Sequence, residues 1–233
     1  MINPNTTGPM TDQMARAATA VAAADTHVIP FTADSGPTAI ESYVDEAYAT
    51  AKVLDLVKDN PDMDGYVIAC ASDPGLLAAR ELVTAPVIGI GEAAFLYATT
   101  LAPRFGVLTT LDRAIEQVWR QLGSYGLTSH CCSVRACDVG VLDTSHPGKE
   151  QLDSLVRTAR AAVHDDGAEV IVLGCGGMTE TAEALHAAVA VPVIDGVRAA
   201  VTMVEGLVRC GLQTSKLRTL APPEPVRYIS HGE

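Results

Sequence analysis

The chain has 233 residues, 48% of them hydrophobic and 19% charged, with a formal net charge of −12; it supports a packed core and is not an intrinsically disordered polypeptide. Acidic balance without a Lys/Arg cluster repels phosphate backbones, which excludes nucleic acid as a partner. No apolar run approaches the roughly 20 residues that cross a bilayer, so no membrane association is expected.

At the N-terminus, Met1–Thr7 has neither a basic nor an apolar stretch, so no secretion signal is read and a cytoplasmic location is expected. Six cysteines in that compartment are individual thiols rather than a disulfide framework. A first strand belongs before Asn3-Pro4-Asn5, yet only Met1 and Ile2 stand there. Either that strand is unusually short or the native chain starts upstream of Met1. Helical patterning then covers Thr11–Ala24, followed by strand His27–Phe31, helix Ile40–Lys58, strand Tyr66–Ala69, helix Pro74–Leu82, strand Val87–Ile90 and helix Glu92–Ala98. The second half reads strand Phe105–Leu108, helix Arg113–Leu122, strand Cys132–Ala136, helix Lys149–Asp165, strand Val170–Leu173, helix Thr179–Ala188, strand Val191–Ile194 and helix Val197–Arg209. Continuous apolar strands such as Val170–Leu173 suit a parallel sheet covered on both faces, and the alternation predicts an α/β fold.

The halves repeat each other. Tyr66-Val67-Ile68-Ala69-Cys70 leads through a helix to Pro86-Val87-Ile88, and Val170-Ile171-Val172-Leu173-Gly174-Cys175 leads through a helix to Pro192-Val193-Ile194. The cysteines are 105 residues apart and the Pro-Val-Ile elements 106. A weaker echo pairs Asn5-Thr6-Thr7 with Leu108-Thr109-Thr110. A βαβ unit can recur because the fold favours it, but a cysteine at the same point of both copies points to duplication. Two similar lobes then place equivalent cysteines across a pseudo-twofold axis.

Cys70 and Cys175 each end a strand, where α/β sheets bind ligands, and each precedes a helix. Asp73-Pro74 reads as a cap with proline in the first turn, and Thr179 is the corresponding candidate in the second copy. A helix N-terminus favours thiolate over thiol, so lowered thiol pKa values are expected. Two such thiols facing each other can invert a carbon acid. One takes the proton next to a carbonyl and the other returns a proton to the opposite face, while backbone N–H groups of the Gly174-Cys175-Gly176-Gly177 and Cys70-Ala71-Ser72-Asp73 turns stabilise the enolate. A single cysteine at a strand end is ordinarily a small core residue; the symmetric pair favours chemistry. Among the rest, His130, Cys131, Cys132 and Cys137 match no zinc spacing, so no metal is expected, and Cys210 reads as core. No histidine sits in either cysteine turn, which weakens a Cys–His hydrolase.

These residues resemble a known family. Asn3-Pro4-Asn5-Thr6-Thr7, Gly36-Pro37 with Ile40-Glu41, Ala69-Cys70 with Ser72-Asp73-Pro74-Gly75, Gly89-Ile90 with Glu92-Ala93, and Gly174-Cys175-Gly176-Gly177-Met178 look like the hydantoin/allantoin racemases of the aspartate/glutamate racemase superfamily. The resemblance extends to Gly211-Leu212 with Thr214-Ser215-Lys216. It implies two pseudo-symmetric Rossmann-like lobes, each with a four-stranded parallel sheet flanked by helices. The first would hold residues 1–97 plus 199–233 and the second 98–198, with the active site between them. It further implies a cofactor-independent, homo-oligomeric isomerase of a small cyclic ureide, with Cys70 and Cys175 as the acid/base pair. By the same matching, Asn3, Ala71, Ser72, Thr109, Thr110, Gly174 and Gly176 would surround the ring, and Ile40 would line the side-chain pocket. Ala71 replaces the bulky aromatic usual there, which implies a broader tolerance for the 5-substituent or a different substrate. Other readings are maleate isomerisation, arylmalonate-type decarboxylation, and a non-catalytic ligand-binding protein of the same fold.

Overall fold

In the computed structural model, which describes residues 1–224, strand β1 (Ile2–Asn3) is two residues long and wholly buried. It lies between β2 (Phe31–Thr32) and β3 (Tyr66–Ile68), and β4 (Val87–Gly89) completes a parallel sheet ordered β2-β1-β3-β4. The second sheet repeats that order as β6-β5-β7-β8, with β5 (Phe105–Thr109), β6 (Cys131–Ala136), β7 (Val170–Leu173) and β8 (Val193–Ile194). The register repeats as well: Val67 lies opposite Ile88, and Val172 opposite Ile194. Equivalent pairs thus keep the offsets of the sequence repeat, and the two-lobed α/β fold stands.

Proline sets several boundaries. Pro30 has no N–H for the ladder, so β2 begins at Phe31 rather than His27; Pro192 likewise delays β8 to Val193. Helix α1 (Gly8–Val21) starts earlier than its apolar pattern suggests because Pro9 is accommodated in the first turn. Helix α2 (Tyr43–Asp59) starts later. Ser42 Oγ caps it by accepting the Asp45 N–H, and the Asp45 carboxylate accepts Ser42 Oγ–H and the Glu41 N–H. That cap leaves Ile40 and Glu41 outside the helix, free to face the site described below. Cys210 is an exposed residue at the C-terminal end of the last helix and not part of the core.

The remaining helices are α3 (Leu76–Leu82), α4 (Ile90–Leu101), α5 (Ile115–Ser124), α6 (Lys149–His164), α7 (Ala182–Ala188) and α8 (Gly196–Arg209). No helix among the described residues is long and apolar enough to cross a membrane. Two apolar clusters lie on the outer faces, one around Val53, Tyr66 and Ile68 and one around Leu108, Leu155 and Ile171. The third is central and belongs to both halves: Met14, Val67 and Ile88 meet Val107, Val172 and Ile194, with Phe95 stacked on Phe105 at 5.9 Å. Burying each such side chain contributes roughly 1.5–3 kcal/mol, so the join between the halves is among the most stabilised regions.

Helices α4 and α8 make the join. Helix α4 follows the first sheet yet packs on β7 and β8 of the second, while α8 follows the second sheet and packs on β3 and β4 of the first. They cross closely: a Cβ on Gly196 would sit 2.4 Å from the Ile90 carbonyl oxygen. Because the obstacle is backbone, no rotamer change relieves it. Gly196→Ala is therefore expected to destabilise the fold by about 2–3 kcal/mol, whereas Gly206→Ala, whose Cβ meets nothing within 4 Å, is neutral or mildly stabilising. Urea unfolding of both variants distinguishes the two outcomes.

Candidate active site

The carboxyl ends of β1, β3, β5 and β7 open onto one cavity with about 630 Å³ of non-atom space, open solvent included. Cys70 and Cys175 both line it. Their turns abut, since a Cβ on Gly176 would lie 3.5 Å from the Ala69 carbonyl oxygen and 2.6 Å from Met14 Sδ. The first distance is ordinary van der Waals contact, so the two turns touch, and the second shows that Met14 packs into the space a side chain at Gly176 would take. Ile40, Ala71, Ser72, Thr109, Thr110, Gly174 and Gly176 share the lining, as the sequence suggested.

Asn3 does not line the cavity. It is fully buried beneath it, where its amide donates to Asn5 Oδ1 and Thr11 Oγ1, both at 2.9 Å, and its Oδ1 accepts the Asn5 N–H. Asn5 occupies the wall in its place. Sequence reasoning also missed Met10, Ala114, Gln117, Val118, Gln121 and Val141. Four of these lie on α5 or the turn before it, and the i, i+4 glutamines at 117 and 121 are the signal that could have found them. Glu41 closes the far side by accepting the Val141 N–H at 3.0 Å.

Neither sulfur sits at an α-helix N-terminus. Between Cys70 and α3 stand Asp73 and Gly75, both with left-handed backbones (φ 52° and 72°), which turn the helix start away. Cys175 leads into a 3-10 segment, Gly176–Thr181, and α7 begins only at Ala182. Thr179 therefore lies inside that segment and caps nothing. The expected lowering of the thiol pKa values is overturned: burial dominates and raises both. Burial pushes Cys70 up to about 12, assisted by the nearby Cys175 and Asp73 and opposed by the Ser72 hydroxyl, 3.6 Å away, and the Ser72 N–H. Burial also raises Cys175, with Glu41 adding to the rise, but the Gly177 N–H, the Thr144 hydroxyl at 3.8 Å and the Met178 N–H all favour its thiolate. Cys175 thus has the richer set of donors.

Asp73 does not cap its own helix. Its carboxylate crosses to α4 and accepts the N–H groups of Gly91 (2.9 Å) and Glu92 (2.7 Å), the second and third residues of that helix, where an N-cap oxygen normally binds. Gln121 Nε2 and Tyr125 Oη–H also donate to it, at 2.9 and 2.7 Å. Burial pushes its pKa up to about 7 against the pull of these donors and with the help of nearby Glu92, which a bidentate pair with Arg80 partly neutralises. In the second half the same service comes from Asp195, which accepts the Val197 N–H at 2.9 Å. Gly89 stands at the position equivalent to Asp195, and a Cβ there would lie 2.1 Å from Asp73 Oδ1. One carboxylate location is filled from two different loops.

The sequence pattern that describes Asp/Glu/Hydantoin racemase matches residues 1–204. A hydantoin racemase of Rhizobium meliloti is 43% identical over 99% of this chain and 97% of its own. Among solved structures, allantoin racemase from Klebsiella pneumoniae superposes with a TM-score of 0.94 at 43% identity, covering 99% of this chain and 95% of that one. Allantoin racemase from Pseudomonas fluorescens gives 0.95 at 38% identity, with 98% of each chain covered.

The thiol environments make an ordered prediction. Because burial raises both pKa values, alkylation of either cysteine by iodoacetamide should accelerate through pH 9 and beyond, with Cys175 modified at lower pH than Cys70. Peptide mapping by mass spectrometry across a pH series reads the order; Cys70 reacting first would contradict it.

Proposed function

Since the chain belongs to the Asp/Glu/hydantoin racemase family, we propose that it is an isomerase that racemises 5-substituted hydantoins, allantoin (5-ureidohydantoin) among them, with Cys70 and Cys175 as a two-base pair. The observation that carries this reading is the placement of both thiols on one cavity, at turns close enough for Gly176 to meet the Ala69 backbone. The hydantoin and allantoin racemases similar to this chain along nearly its whole length support the substrate class.

The ring's C5–H is acidified by the C4 carbonyl. In the reactive form of the enzyme Cys175 carries the negative charge, as its donors favour, and Cys70 holds a proton. The Cys175 thiolate removes the C5 proton, the electron pair moves into the C4 carbonyl to give a planar enolate, and the Cys70 thiol protonates C5 from the opposite face. The enzyme then has a Cys175 thiol and a Cys70 thiolate, which is the form that accepts the other enantiomer. Backbone N–H groups of the two cysteine turns stand ready for the enolate oxygen without reorganisation. Burial serves the chemistry: each unit by which a thiol pKa rises makes its thiolate a stronger base by about 1.4 kcal/mol, narrowing the gap to a weak carbon acid. The accompanying loss is a smaller thiolate population at neutral pH.

Either Cys70→Ser or Cys175→Ser should lower racemisation by at least about a hundredfold, the usual scale for a lost acid/base group. In deuterated water each variant should still exchange C5–H of one enantiomer only, and opposite enantiomers for the two variants. Polarimetry with NMR on enantiopure 5-methyl-, 5-isobutyl- and 5-benzylhydantoin and on allantoin measures both quantities. The same panel tests whether Ala71 opens the pocket. Comparable rates across the substituents are expected, and retained racemisation in either serine variant would refute the two-base reading.

A further inference from the structure

The cavity wall on the α5 side contains a side chain whose hydrogen bonds end on peptide groups of the Cys70 turn. Gln121 Nε2 donates to the Ala71 carbonyl at 2.8 Å and to Asp73 Oδ2 at 2.9 Å. In a trans peptide the C=O and the following N–H point in opposite directions. Holding the Ala71 carbonyl toward α5 therefore directs the Ser72 N–H the other way, and that N–H faces the Cys70 sulfur. The turn is closed further by the Asp73 N–H donating to the Cys70 carbonyl at 3.0 Å. Asp73 itself is fixed by Gly91, Glu92 and Tyr125, so Gln121 bridges two rigid points.

We propose that Gln121 is a positioning residue for Cys70: by clamping the Ala71–Ser72 peptide it aims the Ser72 N–H at the sulfur and sets how readily Cys70 ionises. The inference rests on the reading of Cys70 as one of the two bases, but its central test does not need activity. The other half holds a counterpart: Gln13 Nε2, on α1, donates to the Gly177 carbonyl at 3.2 Å, and the Met178 N–H that follows it favours the Cys175 thiolate. Cys175 also receives the Gly177 N–H and the Thr144 hydroxyl, and Gln121 bonds to none of these groups. The Gln121 clamp thus serves the cysteine with fewer donors, and each cysteine turn is held by a glutamine from the opposite half of the molecule.

Other charged or titratable groups near this network are Cys175 and Asp73 facing Cys70, Glu92 of α4 and Tyr125 of α5 facing Asp73, and Arg80 of α3 paired with Glu92. Glu41 faces Cys175, and Glu46 of α2 holds the neighbouring Gln117. None of these donates to the Ala71 carbonyl; removing Gln121 frees that carbonyl and also takes one donor from Asp73, which keeps those of Gly91, Glu92 and Tyr125.

The experiment measures iodoacetamide alkylation of Cys70 against pH in the Cys175→Ser background, with and without Gln121→Leu, by peptide mapping. The profile should move to higher pH, with the rate at pH 8.5 falling roughly threefold or more, which is half a pKa unit. Alkylation of Cys175 in the Cys70→Ser background should stay within about twofold. If Gln121→Leu does not fold, as judged by near-UV circular dichroism, Gln121→Met preserves the bulk of the side chain and serves instead. With both cysteines intact, kcat/KM should fall by one factor for both enantiomers, because their equilibrium constant is unity, and its ascending pH limb should move upward. An unchanged or faster Cys70 profile, or equal shifts at both cysteines, overturns the clamp. Serine variants that still racemise would defeat the two-base reading and leave the alkylation result standing.

Discussion

The crossing of α4 and α8 at Gly196 is the contact on which the rest of the structure depends. Each helix leaves its own sheet and lies on the other, so neither half can bury its apolar face without its counterpart. The absence of a side chain at Gly196 permits backbone-to-backbone approach at Ile90. Ile90 also reaches the Gly176 turn, where a Cβ would lie 3.3 Å from its Cδ1. The element that joins the halves therefore also touches the turn carrying Cys175. Interiors are close-packed and transmit displacement, so the separation of the two sulfurs is fixed by core packing and not by loop preference.

That packing explains why the thiols are poor acids. A site closed tightly enough to bring both cysteines onto one cavity also excludes the water that would solvate a thiolate. Burial is accordingly the leading influence on both cysteines, ahead of every hydrogen bond that reaches them. Helix dipoles make no comparable contribution, because α3 and α7 start well past the sulfurs. Stabilisation comes instead from individually aimed groups: Ser72 for one thiol, and Gly177, Met178 and Thr144 for the other. On the proposed mechanism the result is a pair of bases strong enough for a carbon acid, with their charge controlled by a few contacts.

Much of this was legible in the residues. Duplication could be read from the Cys70/Cys175 and Pro86/Pro192 offsets, because equivalent strands need equivalent spacing, and the register pairs Val67–Ile88 and Val172–Ile194 keep it. Seven of the eight residues expected around the cysteines lie on the cavity, since six stand at or just past a strand end and Ile40 stands just before a helix cap. What escaped was partner choice. Asn3 and Asn5 differ by two positions in one turn and both are buried, but Asn3 is bonded to Thr11 behind the cavity while Asn5 reaches its wall. Asp73-Pro74 has the local signature of a cap, yet the left-handed backbone at Asp73 sends its carboxylate to the next helix. Local patterns describe a residue's own segment, and these two residues spend their hydrogen bonds elsewhere.

The exchange of Asp73 for Asp195 shows how a duplicated site becomes unequal while its chemistry stays balanced. Both carboxylates serve the second residue of the helix after the fourth strand of their half, but Asp73 does so from the Cys70 turn and Asp195 from the helix cap itself. In the first half this ties the cysteine turn to α4 and α5; in the second, the Cys175 turn sends out no such carboxylate and is held instead by Gln13 of α1 at the Gly177 carbonyl. Two thiols in different surroundings ionise differently, which changes which of them holds the proton between turnovers. It cannot change the ratio of enantiomers at equilibrium, because an achiral solvent gives both the same free energy. A racemase therefore tolerates divergence between its two bases as long as the product of their acid and base steps is preserved. Selection on such an enzyme constrains the pair, and leaves the supports of each member free to differ.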